Sequence, residues 1–117
     1  AGLPVVSLDA ALLEQSVLNL CLNASAAMPT GGVIIIGATA TRDTLLISVT
    51  DNGIGMSPEV VDRAFEPYFT TRGVHGGAGL GLAMVYGFVR QSGGEASICS
   101  SPGQGTTVKL SFPTDLR

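Results

Sequence analysis

One carboxylate stands at the end of an alternating apolar segment, immediately before a glycine-rich turn. In Thr44–Asp51 apolar and polar side chains alternate, so Asp51 continues the row that faces a core. A buried carboxylate is costly unless it is hydrogen-bonded or paired, and the glycines in Asn52–Gly55 let another molecule approach the backbone closely. A carboxylate in such a pocket suits the exocyclic amine of adenine. A simple Asp-Asn-Gly turn is the alternative for the same residues.

Two carboxamides lie four residues apart in an otherwise apolar helical segment. Asn19 and Asn23 therefore share one helix face, with Gln15 one turn earlier. Amide oxygens are hard ligands of the kind that Mg²⁺ binds. The pattern predicts either a magnesium site or a pair of polar side chains on a solvated face.

A glycine-rich segment, Gly77–Leu82, opens the second long helical pattern. Free backbone N–H groups and the helix dipole attract anions at a helix start, and glycines allow a phosphate to approach. The segment is not a Rossmann fingerprint, because no strand precedes it, and it lacks the Gly-Lys-Ser/Thr of a Walker A loop. Tight helix packing is the other explanation for these glycines.

The composition excludes several classes of protein. The chain has 117 residues, 45% of them hydrophobic and 13% charged, with a net charge of −3. These values indicate one folded domain rather than a disordered chain. There is no run of Lys or Arg, and no apolar stretch reaches the roughly 18 residues of a membrane span, so we expect contact with neither nucleic acid nor membrane. The first residue is Ala1, and we interpret the chain as an excised domain.

Periodicity and turn residues predict the elements that must position these groups. The predicted elements are a strand at Leu3–Leu8, a helix at Ala10–Met28, strands at Val33–Thr41 and Thr44–Asp51, a short helix from Ser57 to Ala64, a loop at Phe65–Ala78, a helix at Leu80–Gln91, and strands at Glu95–Ser100 and Thr106–Phe112. This order predicts an α+β two-layer sandwich. We expect a mixed, mostly antiparallel five-stranded sheet with about three helices on one face.

Together, these segments resemble the ATP-binding catalytic domain of sensor histidine kinases. The same GHKL superfamily holds gyrase-type topoisomerases, heat-shock chaperone ATPases and mismatch-repair ATPases. Five motifs match in order: the N box at Leu13–Ala24, the first glycine box at Asp51–Met56, the F box at Phe65–Thr71, the second glycine box at Gly77–Leu82 and the third at Gly103–Thr106. The resemblance implies the Bergerat ATP-binding fold for residues 1–117, as one domain of a larger kinase whose dimerisation and phosphoacceptor domain is absent from this sequence.

The resemblance also implies a role for each matching position. Asn23 would hold Mg²⁺ with support from Asn19, Asp51 would accept from the adenine amine, and Thr106 would lie near the base. Arg72 is a candidate γ-phosphate contact, with a solvated surface arginine as the alternative. The implied ATP contacts are Asn19, Asn23, Ala27, Asp51, Gly53, Gly55, Met56, Phe69, Gly77, Gly79, Leu80, Gly81, Leu82 and Thr106.

The F box and the following loop resemble the ATP lid of these kinases. Phe65 and Phe69 would anchor the base of the lid, and we expect Glu66–Ala78 to close over bound nucleotide. His75, the one histidine of the chain, lies in this loop and lacks the acidic residue that follows the phosphoacceptor histidine in the family. The acceptor histidine is therefore expected on a partner domain.

One position separates a kinase from an ATPase. Hydrolytic members of the superfamily carry Glu one helical turn before the metal residue, where this chain has Asn19, and an amide cannot act as a general base. The resemblance thus implies MgATP binding and transfer of the γ-phosphoryl group to a histidine on a partner helical domain, with a response regulator downstream. We expect a cytoplasmic domain, whether or not its parent protein is anchored in a membrane.

Two departures from the family pattern keep alternatives open. Ala26 stands where many of these kinases have a basic residue, and Ala78 replaces the Thr of the second glycine box. These changes leave room for a nucleotide-sensing pseudokinase or scaffold without transfer activity. A GHKL ATPase is the third hypothesis.

Overall fold

Three helices and four strands make up the part of the chain that the computed structural model describes, residues 10–66 and 81–113. In chain order they are α1 (Ala10–Ala26), β1 (Ile34–Ala40), β2 (Thr44–Asp51), α2 (Pro58–Arg63), α3 (Gly81–Gln91), β3 (Glu95–Ser100) and β4 (Thr106–Pro113). Every helix and strand predicted in these ranges is confirmed, with small shifts at the ends. None of the three described helices is long and apolar enough to cross a membrane.

The four strands form one sheet in the order β1-β2-β4-β3, and each described pair is antiparallel. The register places Asp51 of β2 opposite Thr106 of β4, and Thr106 opposite Ser100 of β3. The α+β prediction is therefore confirmed for four antiparallel strands and three helices. The predicted fifth strand, Leu3–Leu8, lies outside the described residues, and so does the part of the predicted lid at residues 67–78.

The core lies between the sheet and the helices α1 and α3. Alternate residues of β2 and β4 point to this side, because side chains in a strand alternate between the two faces of the sheet. The buried cluster consists of Leu20, Leu45, Ile47, Val49, Val85, Phe88, Val89, Val108, Leu110 and Phe112. Full burial of one such side chain contributes about 1.5–3 kcal/mol. Apolar burial therefore holds both long helices on one face of the sheet.

The short helix α2 begins with the cap that the sequence predicts. The hydroxyl of Ser57 accepts from the N–H of Val60 at 3.4 Å, and Pro58 follows it in the first turn. Beyond the helix, the ring of Phe65 stacks on Tyr86 of α3 with 4.9 Å between ring centroids. This contact fixes the first residue of the F box to α3.

Candidate functional site

Asp51 ends β2 on the helix-covered face of the sheet, and only 8% of its surface is exposed. Its Oδ1 atom accepts a hydrogen bond from the N–H of Gly53 at 2.8 Å. This bond offsets part of the cost of burying a carboxylate. The predicted core-facing position of Asp51 is confirmed. The same bond to Gly53 forms the Asp-Asn-Gly turn that the sequence offers as the alternative to an adenine contact.

The backbone of Ile54 joins the first glycine box to two neighbouring segments. Its N–H donates to the carbonyl of Ala27 at 3.0 Å, and its carbonyl accepts from the N–H of Gly103 at 2.7 Å. A Cβ at Gly53 would collide with the same Ala27 carbonyl. The end of α1, the first glycine box and the third glycine box therefore meet beside Asp51.

Two glycines in these boxes adopt backbone conformations that side chains disfavour. Gly55 has φ +72° and Gly105 has φ +76°. A Cβ at Gly55 would collide with the carbonyl of Ser101, and one at Gly105 would collide with the carbonyl of Asp51. The close approach of the two loops thus depends on glycine at both positions.

A hydroxyl cluster lies on the β4 side of Asp51. Thr106 is 8% exposed, and its Oγ1 lies 2.8 Å from the Oγ of Ser100. The same Ser100 oxygen accepts from the N–H of Met56 at 2.8 Å and donates to the carbonyl of Gly105 at 2.8 Å. Ser100 therefore links Met56 and Thr106, two of the implied ATP contacts. Ser100 is not among the residues that the sequence pattern indicates, because only the register of β3 against β4 reveals its position.

The two carboxamides lie on the side of α1 that approaches the start of α3. A Cβ at Gly81 would lie 3.7 Å from the Nδ2 of Asn23 and 4.0 Å from the Cβ of Asn19. The Nδ2 atom of Asn23 is buried, and the Oδ1 of Asn19 accepts from the Nε2 of Gln15 at 3.1 Å. The start of α3 therefore lies beside the two amides, and the pair is half-buried rather than on a fully solvated face.

The structure brings together the implied ATP contacts that it describes. Ala27, Gly53, Gly55, Met56 and Thr106 surround Asp51, whereas Gly81 accompanies Asn19 and Asn23, and Leu82 packs against the core. The remaining candidates lie outside the described residues. They are Phe69, Arg72, Gly77, Gly79 and Leu80.

The chemistry of the two carboxamides fits a hard divalent cation. Carboxamide oxygens suit Mg²⁺, and Asn19 and Asn23 lie together beside the start of α3. Within residues 10–66 and 81–113, no group of three His, Cys, Asp or Glu side chains could hold a metal.

Comparison with known proteins decides the family. Residues 8–116 match the model of the family described as histidine kinase-, DNA gyrase B-, and HSP90-like ATPase. The chain belongs to this family. Sensor histidine kinase ZraS of Escherichia coli is 41% identical to this ATPase-family domain over 114 residues, which cover 97% of the domain and 24% of ZraS. Sporulation kinase B of Bacillus subtilis is 38% identical over 92% of the domain and 25% of that kinase.

Solved structures agree with this assignment. Full-length ShkA, solved in complex with AMPPNP, superposes with a TM-score of 0.83 at 31% identity, covering 98% of this ATPase-family domain and 24% of ShkA. The mycobacterial sensor histidine kinase MprB gives a TM-score of 0.81 at 28% identity, covering 93% of the domain and 74% of that chain. The domain thus spans about a quarter of the length of the curated kinases ZraS and sporulation kinase B.

Proposed function

We propose that this chain binds MgATP and donates its γ-phosphoryl group to a histidine on a partner helical domain, in two-component signalling with a response regulator downstream. The observation that carries the proposal is the buried carboxylate of Asp51, held on one oxygen by Gly53. The names of two relatives at about two-fifths identity, a sensor histidine kinase and a sporulation kinase, support the same class. The Bergerat fold with a fifth strand at Leu3–Leu8 and a cytoplasmic location belong to this proposal.

Adenine recognition is assigned to the Asp51 end of β2. An ionised carboxylate can accept hydrogen bonds but cannot donate them. Thr106 stands directly across from Asp51 in the sheet. The exocyclic amine of adenine offers two N–H donors, which complement this pair directly or through a water. A hydrogen bond between an amine and an ionised acceptor is about twice as strong as a neutral one.

The phosphates are assigned to the space between α1 and the start of α3. Asn23 would hold Mg²⁺ there and Asn19 would support it, and Gly81 lies beside both amides. The ion would neutralise charge on the phosphates. The backbone N–H groups at the start of α3 lie beside the two amides and favour negative charge.

Transfer rather than hydrolysis follows from the chemistry of Asn19. Its carboxamide cannot remove a proton from water, so bound ATP should persist until a better nucleophile arrives. A ring nitrogen of the partner histidine then attacks the γ-phosphorus, the bond from that phosphorus to the bridging oxygen breaks, and ADP leaves. Phosphoryl transfer asks the protein mainly for positioning and charge stabilisation.

The experiment supplies a purified histidine-bearing helical domain and γ-labelled ATP to this chain. Acid-labile label on the helical domain is expected. The label should fall at least tenfold in Asp51→Asn and stay at the wild-type level in the control Asp43→Asn, at an exposed site between β1 and β2. Saturable ATP binding without any transfer would indicate the nucleotide-sensing alternative. Release of free phosphate at a rate independent of the helical domain would indicate an ATPase, and either result would contradict the proposal.

A further inference from the structure

The hydroxyl groups of Ser100 and Thr106 have one proton arrangement that satisfies every contact made by Ser100. A serine hydroxyl donates one hydrogen bond and accepts two. The N–H of Met56 occupies one acceptor position, and the carbonyl of Gly105 takes the serine proton, each at 2.8 Å. The remaining contact, 2.8 Å from Thr106 Oγ1, is then a bond that Thr106 donates.

This arrangement determines what Thr106 offers to a ligand beside Asp51. With its proton committed to Ser100, the threonine oxygen presents only lone pairs. Thr106 stands directly opposite Asp51 in the register, and both residues are 8% exposed. The wall formed by these two side chains therefore consists of hydrogen-bond acceptors alone.

We infer that Ser100 is a positioning residue that makes the site select 6-aminopurines over 6-oxopurines, by keeping Thr106 an acceptor. The inference rests on the proposed function and deepens it. A 6-aminopurine directs N–H groups at the acceptor wall. A 6-oxopurine directs an exocyclic oxygen there and keeps only its ring N1–H as a donor on that edge, and the oxygen buried against acceptors loses its hydrogen bonds.

Removal of the Ser100 hydroxyl should weaken the selection of 6-aminopurines while leaving the Asp51 carboxylate in place. In Ser100→Ala, Thr106 loses its acceptor, so its O–H is free to rotate and donate to the exocyclic oxygen of inosine triphosphate. Ser100→Thr keeps the hydroxyl and restores the wild-type arrangement. Ser97→Ala is the matched control, because Ser97 lies on the same strand with its exposed side chain on the opposite face.

The test measures the Kd values of MgATP and MgITP by calorimetry for the chain and these variants. We expect the Kd for MgITP divided by the Kd for MgATP to fall about three- to tenfold in Ser100→Ala. A change of this size corresponds to one neutral hydrogen bond. The ratio should stay at the wild-type value in Ser100→Thr and Ser97→Ala. If Ser100→Ala does not fold, Ser100→Cys replaces it, since a thiol of similar size accepts hydrogen bonds weakly.

A double-mutant cycle shows whether Ser100 acts through Thr106. In a Thr106→Val background, Ser100→Ala should leave the ITP to ATP ratio unchanged. An equal loss of affinity for both nucleotides in Ser100→Ala would reduce Ser100 to a structural role and overturn the inference. If the wild-type chain selects ATP and Ser100→Ala keeps that selection, the inference fails alone. If the wild-type chain binds neither nucleotide, the proposed function fails as well.

Discussion

Asp51 and Thr106 face each other directly across β2 and β4, and both are buried on the side of the sheet that the helices cover. The end of a core row is thus polar rather than apolar. Such a pair is costly in a core unless a ligand or neighbouring groups complete its hydrogen bonds. Neighbouring groups supply two of these bonds, from the N–H of Gly53 to Asp51 and between Thr106 and Ser100, and the proposed adenine supplies the rest.

Asp51→Asn keeps the shape of the side chain and removes its charge. We expect MgATP affinity to fall by about 1–3 kcal/mol, since a charge-assisted hydrogen bond to the exocyclic amine is lost. Calorimetric titration measures the change. Asp43→Asn, at an exposed site in the turn between β1 and β2, is the control and should bind like the wild type. Equal MgATP affinities for the two variants would contradict the assignment of Asp51 to the adenine site.

Asn23→Ala should abolish the dependence of ATP binding on Mg²⁺. We expect at least a roughly tenfold loss of affinity with Mg²⁺ present, because a metal ligand is removed, and little change in excess EDTA. Ser25→Ala, exposed on the same helix, is the control. A loss of the same size with and without the metal would contradict the assignment of Asn23 as a ligand.

Gly105→Ala and Gly87→Ala should shift thermal stability in opposite directions. At Gly105 the positive φ and the collision with the Asp51 carbonyl should cost about 2 kcal/mol or more of unfolding free energy. At Gly87, exposed within α3 and with no heavy atom within 4 Å of an added Cβ, alanine should add about 0.5–1 kcal/mol. Calorimetric melting compares the two. If Gly105→Ala melts at the wild-type temperature, the result would contradict the close contact of the first and third glycine boxes.

Phe65 and Tyr86 should be energetically coupled through their stacked rings. A double-mutant cycle of Phe65→Ala and Tyr86→Ala should give a coupling energy of about 0.5–1.5 kcal/mol in chemical denaturation. Tyr86→Ala combined with Thr39→Ala, on exposed β1, should be additive. Additivity of the aromatic pair itself would show that the F box is not fixed to α3 by this contact.

The parts of the fold that local sequence determines could be predicted. The alternation in Thr44–Asp51 is a local pattern, so the residues of this one strand suffice to predict that Asp51 lies on the buried face. The cap of α2 is likewise visible in Ser57 and Pro58, because capping depends on residues within one turn.

Contacts between distant segments could not be predicted from the residues alone. Ser100 bonds to Met56, 44 residues earlier in the chain, and this depends on the register of β3 and on the path of the first glycine box. The stacking partner of Phe65 could not be predicted for the same reason, because the packing of α3 brings the ring of Tyr86 against it. The sequence pattern indicates which groups could do chemistry, and tertiary packing determines which groups orient them.

The most direct test of the central claim is calorimetric titration of the chain with MgATP, MgADP and MgGTP. The chain lacks tryptophan, so heat is a more practical signal than intrinsic tryptophan fluorescence. We predict saturable binding of one equivalent of MgATP and of MgADP, and binding of MgGTP weaker by at least tenfold. Absence of binding, or equal affinity for MgATP and MgGTP, would contradict an adenine site at Asp51.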